Sequence, residues 1–410
     1  MSSRFIPDLQ VRDHTRDRYH ALSISSVWDL GRIRASKVLV VGAGALGNEV
    51  CKNLAMMGVQ LIGVVDRDTV EMANLSRSVF FREADHGRPK VDVISERLKE
   101  LNPDVEVLPI SGDLDAVLGM GLLQRMDVVF SCLDSRLARR SINRMCEKVG
   151  RPWIDAGMED LIGYVAAYTP GQGACYECTL TNVEKAMIAN VASCRQIAVR
   201  ALALGKVPTT STMGSILAAV QVQEAVKILQ GDLENSLAGR RLIVDCNSDD
   251  FYVTQSARKE NCEGHFRFGE IRQVTEFSAE RTTASDVLQR FKEETGESGH
   301  LDLGREIVVR MSCPRCGTTE KAGAPLRVVT DAMATCPNCH DIKELSTTHV
   351  ATADSEYANI PLSQLGIPKL DTLAVLGSAC AIWYELTGDL ESFPEALGAS
   401  SVKPPAAVVR

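Results

Sequence analysis

The chain is 410 residues long, 45% apolar and 24% charged, which leaves room for one large α/β domain and one or two smaller modules. A formal net charge of −8 argues against a general nucleic-acid binder, which would want a basic surface. No apolar run approaches the ~18 residues of a membrane span, and Met1-Ser2-Ser3-Arg4 opens no apolar leader; three C-x-x-C pairs read as metal ligands rather than disulfides, so the expected location is cytoplasmic, off the membrane.

Residues 1–36 are polar and charged, with Arg16-Asp17-Arg18-Tyr19 ahead of an amphipathic stretch from Ala21 to Ile33. Taken alone they form a solvated N-terminal helical segment. From Lys37 to Lys90 the pattern tightens. A buried strand (Val38 to Val41) runs into Gly42-Ala43-Gly44-Ala45-Leu46-Gly47, a helix follows (Asn48 to Met57), and a second strand, Leu61 to Val65, stops at Asp66. Gly42, Gly44 and Gly47 let backbone N–H groups approach phosphate at a helix N-terminus, and Asp66 is placed to accept from a ribose hydroxyl. That much fits a dinucleotide site. The next residues do not: Asp66-Arg67-Asp68, then Asn74-Leu75-Ser76-Arg77, then Gly87-Arg88-Pro89-Lys90. A site that attacks a nucleoside triphosphate needs such groups, because negative charge builds on the α-phosphate and the departing pyrophosphate. With the glycine loop, D-x-D, N-L-x-R and G-x-x-K in this order, the chain resembles the MoeB/ThiF and ubiquitin-activating enzyme superfamily from about Arg16 to Glu270, with a fainter echo near the C-terminus.

Further along, Val91 to Leu101 is a charged helix, Val105–Pro109 a short strand, and Asp127–Phe130 a buried strand that ends in Ser131-Cys132-Leu133-Asp134-Ser135. Ligands in open α/β sheets lie beyond the carboxyl ends of strands, so Asp134 faces the nucleotide, either as the cap of the next helix or as a metal ligand. The resemblance implies the second role, with magnesium, and Arg139 and Asn143 keep two features of the helix that follows. Ser135 stands where the family usually has Asn. It also implies that an arginine ahead of the first strand reaches ATP phosphates, in homodimers from the neighbouring subunit; Arg18 is the closest match by position.

Trp153–Gly157 and Gly163–Tyr168 read as further strands. Cys175-Tyr176-Glu177-Cys178 is a zinc half-site that needs a second pair. The family places that pair after the next long helix, where this chain has Cys262-Glu263-Gly264-His265, giving a site of Cys175, Cys178, Cys262 and His265. Between the half-sites, Thr179 to Leu204 has no clean periodicity and contains Cys194. Then come Val207-Pro208-Thr209-Thr210-Ser211-Thr212-Met213-Gly214 and a helix from Ile216 to Leu229. In ubiquitin-activating-type enzymes this crossover loop carries the thioester-forming cysteine, which marks Cys194. Arg195 beside it supplies the electropositive neighbour that a nucleophilic thiol needs. Cys246, at the end of a strand Leu242–Asp245, is the rival thiol.

After Phe266 the composition shifts. Glu280 to Glu297 is partly helical, Gly299 and Gly304 mark turns, and two C-P-x-C pairs, Cys313/Cys316 and Cys336/Cys339, lie 19 residues apart between strand-like runs Ile307–Arg310 and Leu326–Val329. This spacing reads as a zinc ribbon that staples an insert too small to hold its own core. Leu365 to Val375 and Ala381–Asp389 suggest a turn and a closing strand, and the tail after Ser400 is loosely ordered.

The expected fold is a doubly wound, Rossmann-like α/β domain with a mostly parallel sheet. Its parts are an N-terminal helical segment (1–36), an adenylation domain (37–270) with a crossover loop (about 179–207), a zinc-ribbon insert (271–345) and a C-terminal closing segment and tail (346–410). The resemblance implies ATP, magnesium and one structural zinc ion, and the C-P-x-C spacing of the ribbon adds a second structural zinc. Gly42, Gly44, Gly47, Asp66, Asp68 and Asn74 hold the nucleotide, Asp134 helps hold magnesium, and Arg77, Lys90 and Arg18 neutralise charge. It implies a ubiquitin-like β-grasp substrate protein, a thioester on Cys194, transfer to a conjugating-type enzyme, and a homodimer. The rival readings are a sulfur-carrier adenylyltransferase without a stable thioester, a non-catalytic partner subunit on the same fold, and a nicotinamide dehydrogenase.

Overall fold

The computed structural model describes residues 17–25, 27–192 and 209–398. Lys37–Val41, with three valines and a leucine, is buried along its whole length, as a central parallel strand covered on both faces must be. It is β1 of an eight-stranded sheet. The other strands are β2 (Leu61–Asp66), β3 (Glu106–Ser111), β4 (Val128–Ser131), β5 (Trp153–Glu159), β6 (Ile162–Tyr168), β7 (Arg240–Asp245) and β8 (Asp250–Gln255), in the order β3-β2-β1-β4-β5-β6-β7-β8. The first five run parallel; β6, β7 and β8 follow as antiparallel neighbours.

Alternate residues of β1 and β2 point to opposite faces, and two cores result. Val38, Val40, Ile62 and Val64 pack with α1 (Ala45–Met57), α2 (Lys90–Leu101) and a long helix after the crossover. Leu39, Val41, Leu61 and Val65 pack with α3 (Met120–Gln124) and α4 (Arg136–Val149). Helices on both faces of a largely parallel sheet make this a doubly wound, Rossmann-like fold. The crossover begins with α5 (Asn182–Ala192), and the long helix beyond it is α6 (Ser211–Gln230), capped by the Thr210 hydroxyl, which accepts from Met213 N at 3.3 Å.

Three local expectations shift. The amphipathic stretch before β1 forms two short turns of helix, His20–Ser23 and Leu30–Arg34, rather than one continuous element. The first main helix starts at Ala45, because Gly44 already takes the cap position. Leu326–Val328 is a 3-10 turn, not a strand; the strand precedes it.

The second unit is larger than a ribbon insert. β9 (Ile271–Val274), α7 (Ala284–Thr295), β10 (His300–Ser312), β11 (Thr319–Pro325), β12 (Glu344–Ala351), β13 (Thr372–Leu376) and β14 (Ala381–Leu386) build a six-stranded sheet in the order β11-β10-β13-β14-β9, with β12 on β10. Phe291 of α7 and Leu301, Ile307, Leu373, Val375 and Tyr384 form its own buried core. The boundary expected at 345/346 therefore divides one sheet: the apolar runs after 346 pair with β9 and β10, and a run's composition does not say which sheet it joins. The closing role belongs to the last turns alone. Leu397 is buried and Phe393 packs against the first unit's core, and Lys37 Nζ donates to Ala396 O at 2.8 Å.

The two units meet at α3. Met120 N donates to Asp371 Oδ1 at 2.9 Å, Arg305, held within its own unit by Asp371, donates to Asp115 O just ahead of α3, and Arg125 pairs with the fully buried Glu385. A Cβ at Gly119 would lie 2.4 Å from Lys369 O, so that approach requires glycine. No helix among the described residues is long and apolar enough to cross a membrane.

Candidate active site and metal centres

The glycine loop lies at the carboxyl end of β1, between β2 and β4. Gly42 has φ +98°, and a Cβ there would fall 2.4 Å from Cys132 O; one at Gly47 would fall 1.9 Å from Gly42 O. Both glycines let the loop sit tightly on the start of α1. At Gly44 a Cβ would meet nothing within 4 Å, so this side of the loop is open to a ligand. The N-terminus of α1 points the same way, which favours an anion there.

Asp66, at the end of β2, holds the loop directly: its Oδ2 accepts from Ala43 N at 2.6 Å and its Oδ1 from Asp68 N at 2.8 Å. A carboxylate has about four acceptor positions, so capacity for sugar hydroxyls remains. Lys90 is buried at the start of α2 and reaches Asp68 Oδ2 at 3.0 Å, while its backbone N–H donates to Asp68 O. The D-x-D and G-x-x-K segments are thus zipped together. Asn74 Oδ1 accepts from Glu71 N at 2.9 Å and closes a short turn; half-buried Arg77 follows, donating to Ala73 O.

Asp134 follows β4 at the same edge. The helix cap is Ser135, whose Oγ accepts from Ala138 N at 3.4 Å, so Asp134 is not the cap. Its carboxylate is exposed and has no hydrogen bond or ion pair among the described residues. The loop carrying it is held from behind by Arg139, which donates to Leu133 O, to Ala156 O at 3.2 Å and to Asp155 Oδ1 at 3.0 Å. Asp155 is fully buried and also accepts from Ser131 Oγ at 2.8 Å and Tyr164 OH at 2.7 Å. Burial works against the charge on Arg139, but Asp155, Tyr164 and Tyr176 together outweigh it and raise the guanidinium above its ordinary value.

Arg18 is elsewhere. It donates to Asn102 Oδ1 at 2.5 Å and Leu101 O at 3.3 Å, beyond the C-terminus of α2 and before β3. That is the far end of the sheet, roughly 15 Å of strand from the loop, so Arg18 cannot serve the glycine loop of its own chain. Cys194 and Arg195 lie outside the described residues. The segments that flank them reach the site edge: Arg136, two residues after Asp134, pairs with Glu184 of α5 at 2.6 Å, and Thr209 bridges to Asp160 in the β5–β6 turn. Cys246 is half-buried with its Sγ 3.8 Å from Met213 Sδ, a packed position next to Asp245. Burial pushes the thiols of Cys51, Cys132 and Cys146 up, which suits inert core residues.

Both cysteine clusters assemble. Cys175, Cys178, Cys262 and His265 place their ligand atoms within 4.8 Å of one another, as do Cys313, Cys316, Cys336 and Cys339. In the first, Cys175 Sγ lies 3.8 Å from Cys178 Sγ and 3.7 Å from Cys262 Sγ, and His265 Nε2 lies 3.3 Å from Cys178 Sγ. In the second, Cys313–Cys339 and Cys316–Cys336 stand at 3.4 and 3.5 Å. A tetrahedron with Zn–S bonds of ~2.3 Å has sulfur edges of about 3.8 Å, so both donor sets fit zinc. The first cluster is tied to α4: Asn143 Oδ1 accepts from Tyr176 N at 3.0 Å, and Glu177 pairs with Arg144 at 2.7 Å and Arg140 at 3.2 Å.

A model of the ThiF family matches residues 17–264. The SUMO-activating enzyme subunit uba-2 of Caenorhabditis elegans is 36% identical over 151 residues, 36% of this chain and 25% of that protein. The adenylyltransferase and sulfurtransferase MOCS3 of Bos taurus is 33% identical over 228 residues, 56% of this chain and 47% of that protein. The crystal structure of E. coli MccB is similar with a TM-score of 0.49 at 23% identity, covering 61% of this chain and 72% of that one. The chain thus spans a quarter to a half of the length of these curated relatives. The family match takes in more than half of the chain and all of the glycine-loop site, and it agrees with the order of the motifs along the sequence: the chain belongs to the ThiF family.

Proposed function

We propose that the protein adenylates the C-terminal carboxylate of a ubiquitin-like β-grasp protein and then takes it as a thioester. The observation that carries this reading is the convergence of the glycine loop, Asp66, the Asp68–Lys90 pair and the unpaired Asp134 at one strand edge. Mg·ATP is held by the loop, Asp66, Asp68 and Asn74, with Asp134 toward magnesium through phosphate and water. Arg77 and Lys90 stand beside the phosphates. The carboxylate oxygen attacks the α-phosphorus, the bond to the β-phosphate oxygen breaks, and pyrophosphate leaves with the charge that these cations neutralise. The Cys194 thiolate then attacks the acyl carbon, AMP leaves, and a thioester forms that can pass to the cysteine of a conjugating-type enzyme.

Arg18 enters only from a second copy of the chain in a homodimer, since its own loop is out of reach. Similarity to MOCS3 over a longer stretch than to the SUMO-activating subunit favours a second reading, adenylation of a sulfur-carrier protein without a stable thioester. Purified protein with ATP, magnesium and a candidate β-grasp protein, run on a non-reducing gel beside Cys194→Ala and Asp134→Ala, separates the two. A thiol-sensitive adduct lost in both variants supports the two-step reading. Pyrophosphate release without an adduct moves the sulfur-carrier reading ahead, and neither product across the panel of β-grasp proteins refutes both.

A further inference from the structure

Asn48 belongs to none of the motifs, yet it is fully buried in the first turn of α1. Asparagine is a poor helix former, and a buried amide is costly unless it is satisfied, so its place calls for a reason. Its Nδ2 donates to Ala43 O at 2.9 Å and to Gly44 O at 3.0 Å; its Oδ1 accepts from Phe80 N at 3.1 Å. Asn48 N also donates to Gly44 O, at 2.9 Å, so both lone pairs of that carbonyl are taken. Two loop carbonyls are thereby turned into the helix, away from the open side of Gly44. Phe80 is three residues beyond Arg77 and is itself buried in the same core. One amide therefore spans two segments far apart in sequence.

We propose that Asn48 is a positioning residue that locks the glycine loop to the segment carrying Asn74 and Arg77, fixing the loop N–H groups and the Arg77 guanidinium at one spacing for Mg·ATP; this rests on the nucleotide reading above. The loop binds phosphate through backbone groups, and a carbonyl released toward it would repel the anion. The turn that carries Arg77 runs on to Phe80, and this amide's bond to Phe80 N ties that segment to α1.

The test is calorimetric titration of Mg·ATP into the full chain, needing no substrate protein. Asn48→Leu removes all three side-chain bonds; Asn48→Asp keeps the shape and the acceptor for Phe80 N but sets a carboxylate against two carbonyls, and it carries the readout if Asn48→Leu does not fold. Each is expected to weaken binding about tenfold or more. Combined with Arg77→Ala, the losses should fall short of multiplying, because the share of the Asn48 loss that runs through Arg77 is already gone while the share that runs through the loop remains. A merely structural asparagine would give multiplying losses, and that result, or wild-type affinity in both Asn48 variants, overturns the proposal. A wild type that fails to bind Mg·ATP removes the nucleotide reading and this one with it, an outcome distinct from the other two.

Discussion

Arg139→Met tests the charge network behind the Asp134 loop. Asp155 is fully buried, and Arg139 is its charged partner at 3.0 Å. Removing the guanidinium leaves a buried carboxylate uncompensated, which costs about 3–5 kcal/mol, and frees Leu133 O and Ala156 O as well. In a domain of this size each kcal/mol moves the melting temperature by about 2–4 °C, so a drop of about 6–20 °C is expected. Urea unfolding followed by tryptophan fluorescence reads it locally, because fully buried Trp153 sits on the same strand and stacks on Tyr168 at 4.6 Å between ring centroids. Adding Asp155→Asn keeps the acceptor for Ser131 and Tyr164 but removes the charge, and the double variant should recover at least half of the loss. A single variant within about 1 kcal/mol of wild type, or a double variant no more stable than the single one, would refute the reasoning.

Glu147 on α4 is buried, and burial pushes its carboxyl up to about 7 against the pull of Arg267 and Arg258. A folded value above the unfolded one means that the folded protein holds this proton more tightly, so the group's contribution is favourable in acid. It is lost as pH rises from about 4.5 to about 7, by up to about 3 kcal/mol. Glu147→Gln should bring the urea midpoints at about pH 5 and about pH 8 closer together; an unchanged gap counts against the assignment. For the metal sites, Cys336→Ser should lower zinc from two to one per chain and expose the ribbon to protease while Mg·ATP affinity holds. Cys178→Ser should lower zinc equally but weaken Mg·ATP, because Glu177, Arg144 and Asn143 tie that cluster to α4, whose first turn follows Asp134. Equal effects of the two substitutions on Mg·ATP would sink this distinction.

Residue type and spacing made much of the site legible. Strand, glycine loop, helix and strand-end acid each leave a local mark, and the Asp68–Lys90 pair was foreshadowed by two motifs of the same loop. Cysteine spacing located the Cys313–Cys339 cluster and the Cys175/Cys178 half of the other, because a knuckle is a local structure that the sequence writes out, while Cys262 and His265 came from the family resemblance. What could not be read depends on distant partners. Asn48 carries no pattern, since its meaning comes from Phe80, 32 residues away. Asp134 and Ser135 are equally good caps on paper, and only the backbone decides between them. β13 and β14 look like strands from composition, but their pairing with β9 and β10 is set across the intervening chain. Arg18 matched by position along the chain, while the sheet's polarity puts it at the opposite end.

The path of the backbone through the two units has its own consequence. The chain leaves the first sheet after β8, builds the whole second sheet, and comes back so that Phe393 and Leu397 pack into the core on one face of the first sheet. The second unit is therefore a detour with both its ends anchored on the first, joined through a short stretch, 266–270, and through the return after β14. A single cut in either crossing would leave the halves held by the other crossing and by the α3 seam. Shortening the chain at a residue such as 345 would strip β13 and β14 from one sheet and the lid from the other in one stroke. The half that carries the glycine loop is therefore packed against its neighbour at two places, and any loss of the distal half would be felt as a hole in the core of the first sheet.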